Sequence, residues 1–210
     1  ALTEEQKNSN TGKALILKIE SNKSTATGKP VIPFAQIGID GTMVDVNAYK
    51  GKVVLIAGGA KNLGGLLSRN FAAKDAKVVI HYNSENTKAD AEKTLADIEN
   101  AGGEAFLFQA DLTEVKNITK LFDAAIAKFG GVDIAINTVG KVLKKPFAET
   151  TEEEYDSMSD INSKVAYFFI QEAGKKLNDN GKINTIVTSL LAAFCSCNDM
   201  EIDSMTLTTC

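Results

Sequence analysis

The sequence predicts an α/β fold, a doubly wound parallel sheet with helices on both faces and hence three layers. Three observations carry that expectation. The first is the stretch Lys52–Leu67, KVVLIAGGAKNLGGLL, where the apolar run Val53, Val54, Leu55, Ile56 reads as a strand buried on both faces. A glycine-rich turn, Ala57 to Gly64, follows it and leads into a helical stretch with Leu63, Leu66, Leu67 and Phe71 at helical spacing. The second is that, from Lys50 onward, short apolar runs alternate with helical patterns across short joints, as in successive βαβ units. The third is the pair of glycine stops, Gly102-Gly103 and Gly130-Gly131, each placed where a left-handed residue ends a helix.

Taken in order, residues 1–49 stand outside this pattern and read as an extension. Ala14–Ile19 is a candidate strand, Ser21–Pro30 a linker rich in Ser, Thr and Lys, and Val31–Val46 is mixed. The dinucleotide-type domain spans 50–194. After its first strand and helix, Lys77–Tyr82 is a second strand, and Ala89, Ala91, Leu95 and Ile98 mark a helix ending at Gly102. Ala105–Gln109 is a third strand. The clearest helix carries Ile118, Leu121, Phe122, Ala125, Ile126 and Phe129 on one stripe. Val132–Ile136 is a fourth strand, Thr151 to Glu154 a capping box, and Asp160–Leu177 a long helix. Asn178 to Gly181 turns the chain into a fifth strand, Lys182–Thr188. Residues 195–210 show neither helical stripe nor strand alternation and read as a tail.

Composition narrows the function classes. Of 210 residues, 44% are hydrophobic and 24% charged, the balance of a globular chain with a real core. A net charge of −4 argues against nucleic acid and against a membrane surface as partners. No apolar run reaches the roughly 18 residues of a spanning helix, and the N-terminus lacks the pattern of a secretory signal, so a cytoplasmic setting is expected. Cys195, Cys197 and Cys210 crowd into the tail with no histidine nearby, which is neither a disulfide framework nor a metal site.

The chemistry starts at the glycine turn. The first turn of a helix has unpaired N–H groups and partial positive charge, and glycine lets a diphosphate approach them. An NAD site places an acid about twenty residues past the glycines for the ribose 2′-OH. Here that position reads His81-Tyr82-Asn83-Ser84, with no acid before Glu85. Lys61 in the turn is placed to pair with a 2′-phosphate, with Asn83 and Ser84 adding hydrogen bonds, so NADP (NADPH) is favoured over NAD. A solvated loop lysine is the other reading of Lys61. His81, the single histidine, reads as a strand-end residue rather than a catalytic base.

The stretch Gly51 to Phe194 resembles the short-chain dehydrogenases/reductases, and within them the NADPH-using reductases akin to 3-oxoacyl-carrier-protein reductase and fungal polyol or ketone reductases. The family's Thr-Gly-x-x-x-Gly-x-Gly is met by Ala57-Gly58-Gly59-Ala60-Lys61-Asn62-Leu63-Gly64, with Gly58 and Gly64 on the outer glycines and Asn62, tolerant of left-handed angles, on the middle one. Asp111 matches the family's adenine-contacting Asp. Its Asn-Asn-Ala-Gly is matched loosely by Asn137 to Gly140, with Thr138 and Val139 as departures. The resemblance implies a Rossmann-like fold and hydride transfer from NADPH to a small-molecule carbonyl. It also implies a homo-oligomer through the helix 160–177.

Of the family's four catalytic residues, the resemblance carries over two, Ser189 for the serine that orients the carbonyl oxygen and Asn162 for the helix asparagine of the proton relay. The Tyr-x-x-x-Lys pair has no match: Tyr49, Tyr82, Tyr155 and Tyr167 are followed at that spacing by Val53, Asn86, Ser159 and Gln171. Without a phenol of lowered pKa no proton donor is evident. The expectation is therefore a C-terminally truncated member of the family, either a reductase by descent or a nucleotide-binding or partner-binding protein that keeps the dinucleotide half. An uncovered sheet edge, with a tendency to aggregate, goes with it.

Overall fold

The computed structural model describes residues 36–37, 43–44 and 49–186. The candidate strand at Ala14–Ile19, Thr188, Ser189, the tail 195–210 and its three cysteines lie outside the described residues. The chain divides into two units, Ala1–Lys50 and Gly51–Cys210. In the first, β1 (Gln36–Ile37) pairs antiparallel with β2 (Met43–Val44).

The second unit holds five parallel strands, β3 (Val53–Ala57), β4 (Lys77–Tyr82), β5 (Glu104–Gln109), β6 (Ile134–Asn137) and β7 (Lys182–Thr185), in the spatial order β5-β4-β3-β6-β7. The order reverses beside β3, whose two neighbours are β4 and β6, so the sheet is doubly wound with its switch point between β3 and β6. Every side chain of β3 is buried, as an apolar run with no alternation requires of a central strand.

Helices α1 (Asn62–Ala72) and α2 (Lys88–Asn100) lie against one face, and α3 (Val115–Phe129) and α5 (Val165–Lys176) against the other. On the second face Leu55, Val79 and Ala135 of the sheet meet Leu121, Phe122 and Ala125 of α3 and Phe169 of α5, all fully buried. The rings of Phe122 and Phe169 stand 5.3 Å apart. Gly130 ends α3 in the left-handed conformation, φ 88°, and donates its N–H to the Ile126 carbonyl.

Two features were not given by the sequence reading. The face that α1 turns to the sheet is Gly64, Gly65, Ser68 and Ala72, while Leu63 and Leu66 are about half exposed at 46% and 51%. Close approach of α1 to the turn before it excludes large side chains there, so the leucine spacing marks the helix but not its buried side. The long helix also starts earlier than Asp160. It opens as α4 (Glu152–Ser159), passes through a π-helical turn at Asp160–Lys164 and continues as α5. A single wide turn of this kind commonly marks a site.

At the amino ends of the strands Asp133 works as a staple. Its Oδ2 accepts from the Val53 N–H at 2.8 Å, and its Oδ1 faces the Lys52 ammonium at 3.1 Å and the Asn178 amide at 3.2 Å. Partial burial opposes its ionisation, but these three donors outweigh that and hold its carboxyl below the usual range.

Candidate functional site

At the carboxyl ends of β3 and β6, on the switch point, lies a cleft of about 300 Å³. Gly58, Lys61, Asn62 and Gly64 line it from the turn, Asn83 from the end of β4, Asp111 from the end of β5 and Gly140 from the loop after β6. Seven of the residues singled out in the sequence thus converge on one space. Ser84 sits next to the lining, where its carbonyl accepts from the Thr87 hydroxyl at 2.9 Å. Asn137 and Asn162 are buried behind the lining, and Ser189 is outside the described residues.

The turn is shaped by close approach. Gly58 has φ 77°, and a β-carbon there would stand 2.8 Å from the Thr138 Oγ1. A β-carbon on Gly64 would collide with the Gly58 carbonyl oxygen. Asn62, in the place of the middle glycine, has φ 49°, the left-handed conformation its side chain tolerates. Hydroxyl groups hold the turn from behind. Thr138 donates to the Ala57 carbonyl at 2.9 Å, Ser68 to the Gly59 carbonyl at 2.8 Å and Thr94 to the Ala60 carbonyl at 2.7 Å. Thr138, a departure from the family pattern, is thereby a structural part of the turn.

The start of α1 carries no side-chain cap, and its first turn has no acidic residue. Its N-terminal partial charge is left for something in the cleft. Lys61, at the cap position, is half exposed and pairs with Asp90 on α2 at 3.2 Å.

His81 is 2% exposed and ties two walls of the cleft together. Its Nδ1 accepts from the Gly58 N–H at 3.0 Å, which requires the hydrogen on Nε2, and Nε2 then donates to the Ala110 carbonyl at 2.8 Å. Burial pushes its pKa down to about 4, against a smaller upward pull from the Ala110 hydrogen bond and Asp111. The ring is therefore a neutral brace, in keeping with a strand-end reading. Its two bonds reach 23 and 29 residues along the chain, and no local pattern announces them.

Asp111 is oriented by Thr113, whose N–H and hydroxyl donate to Oδ1 at 2.9 and 2.7 Å. Asn137 accepts from the Val139 N–H through Oδ1 at 3.0 Å, while its buried Nδ2 has no hydrogen-bond partner among the described residues. Asn162, in the π turn, clamps the backbone of Lys141 twice. Its Oδ1 accepts from the Lys141 N–H and its Nδ2 donates to the Lys141 carbonyl, both at 2.9 Å. Those two bonds fix the loop that follows Gly140. Ile161 and Val165, beside it, add an apolar wall to the cleft that the sequence had not pointed to.

Comparison with known proteins meets this geometry. A family model for short chain dehydrogenases matches residues 52–198. A protein of Zymoseptoria tritici, named as a probable tetrahydroxynaphthalene reductase, is 39% identical over 140 residues, covering 67% of this chain and 52% of its own. Among solved structures, a protein from Burkholderia cenocepacia crystallised with bound NADP is 61% identical with a TM-score of 0.65, over 70% of this chain and 56% of that one. A short-chain dehydrogenase from Oenococcus oeni is 52% identical with a TM-score of 0.62, over 69% and 65%. The chain spans about half the length of the curated relatives it matches. No helix among the described residues is long and apolar enough to cross a membrane.

Proposed function

The chain belongs to the short-chain dehydrogenase family, and from that premise we propose that it binds NADP(H) and serves the reduction of a small ketone or 3-oxoacyl carbonyl to an alcohol. The observation that carries this reading is the uncapped, acid-free start of α1 opening into a cleft at the switch point of the sheet. The bound NADP of the Burkholderia cenocepacia relative supports the same cofactor.

The residues fit such a ligand. The N–H groups at the start of α1, beside Gly58, Asn62 and Gly64, receive the diphosphate, and the close-packed turn keeps side chains out of its way. Lys61, with Asn83 and Ser84, takes the 2′-phosphate. Asp111, held by Thr113, accepts from the adenine amine, and Asn137 and Gly140 carry the wall beside the nicotinamide half. When bound, the nicotinamide supplies a hydride. Asn162 fixes the loop at Lys141, and Ser189 orients the carbonyl oxygen. The residues that converge on the cleft are the nucleotide-side ones, which supports as second reading a protein that binds the nucleotide without turning it over. The exposed Tyr167 and Ile170 on α5 support a homo-oligomer through residues 160–177, and the setting proposed is the cytoplasm.

Titrating the chain into NADPH and NADH while following nicotinamide fluorescence, then adding a panel of diketones, tests both readings. Tight NADPH binding with carbonyl-dependent oxidation is expected of the first, and binding with no oxidation is the mark of the second. Indifference to NADPH would sink both.

A further inference from the structure

We propose that Asp90 sets how tightly this chain holds a 2′-phosphate, by competing with it for Lys61; the inference rests on the cofactor reading above and deepens it. The Lys61 Nζ lies 3.2 Å from Asp90 Oδ2, and the two side chains are 50% and 46% exposed. The pair is thus open to water and exchangeable rather than locked. Lys61 lines the cleft, whereas Asp90 approaches the ammonium from the first turn of α2, outside the lining. The neighbouring acid, Glu85, is already paired with Lys88 at 3.3 Å, so Asp90 is the carboxylate that shares Lys61.

The consequence follows from charge. A phosphate dianion that reaches Lys61 must take the ammonium from Asp90 or share it, and in either case it stands near an uncompensated carboxylate. A ribose hydroxyl, being neutral, meets no such penalty. Asp90 therefore subtracts from the NADP preference that Lys61 creates, and it acts on affinity and release rather than on chemistry. The usual place for a discriminating acid is the end of the second strand of the unit, here His81 to Ser84, which holds none. The fold delivers the acid from α2 instead.

Calorimetric titration of the 210-residue chain with NADP⁺, NAD⁺ and adenosine 2′,5′-bisphosphate tests the proposal in four proteins: wild type, Asp90→Asn, Lys61→Met and the double variant. Asp90→Asn is expected to tighten NADP⁺ and the bisphosphate by about three- to fivefold, the range of an exposed ion pair, and to leave NAD⁺ unchanged. That gain should shrink with added salt and vanish in the Lys61→Met background. Unchanged NADP⁺ affinity in Asp90→Asn, with Lys61→Met still weakening it, overturns the role of Asp90 while sparing the cofactor reading. Loss of NAD⁺ affinity in Asp90→Asn overturns it too, since Asp90 would then be serving the ribose hydroxyl. A wild type with no preference for NADP⁺ removes the cofactor reading and this inference together.

Discussion

Helices α1 and α4 begin in opposite chemical states. At α4, the Thr151 hydroxyl accepts from the Glu154 N–H at 3.3 Å while Glu154 returns an oxygen to the Thr151 N–H at 2.9 Å, and three acids crowd the first turn. That helix start is capped and charge-compensated from within the chain, which is how a helix is made stable. At α1 the cap is a lysine that makes no capping bond, and the first turn has no acid. The second helix start forgoes a stabilisation that a single serine would supply. What it gains is a row of amide donors beside a cleft, so this helix start is left open where a ligand is expected.

Substitutions can break or sharpen that contrast. The largest effect belongs to Gly64→Ala, whose methyl would strike the Gly58 carbonyl. A loss of about 3 kcal/mol in denaturant unfolding is expected, with loss of nucleotide binding. Next is acid. The folded state keeps His81 neutral down to about pH 4, whereas an unfolded imidazole takes its proton near 6.5. Between those values the unfolded chain binds more protons, so stability that is full above pH 6.5 is lost as pH falls toward 4, by about 3 kcal/mol. A His81→Gln chain should show a flatter urea midpoint across that window, and an equal slope in both proteins would remove His81 as the cause.

Smaller effects separate the two helix starts directly. Lys61→Ser gives α1 the cap it lacks, in an extended residue suited to it, and should raise stability by about 1 kcal/mol while weakening NADPH binding. Thr151→Ala removes the cap of α4 and should cost about 1 kcal/mol with no change in nucleotide affinity. If Lys61→Ser weakened both properties, α1 would not be holding its amides in reserve.

The sequence revealed the strands because burial on both faces leaves an unbroken apolar run, as in Val53–Ile56, and it revealed helix ends because glycine is the residue that turns left-handed at Gly130. Asn62 was legible for the same backbone reason. What stayed hidden depends on contacts between distant residues. The buried side of α1 is set by how near Gly64 comes to Gly58, so Leu63 and Leu66, the natural markers of a core face, lie outside. The brace at His81, the hydroxyl of Thr94 on the Ala60 carbonyl and the Lys61–Asp90 pair each join separate elements. The π turn leaves no mark because Asn162 earns its place through the backbone of Lys141. Seven site residues were found from the glycine turn and the strand ends, since the ends of parallel strands meet in space wherever the sheet reverses its order.

The contacts of Gly58, Gly64 and Thr138 also limit how this protein can change over generations. A β-carbon on Gly58 meets Thr138, and one on Gly64 meets both Thr138 and the Gly58 carbonyl. Shortening Thr138 would free space for only part of either change, because the carbonyl stays and Gly58 keeps its φ of 77°. No single replacement at Thr138 therefore makes room for a side chain at either glycine. The two glycines are thus constrained jointly, whereas Asn62 and Thr138 stand where the family pattern has other residues.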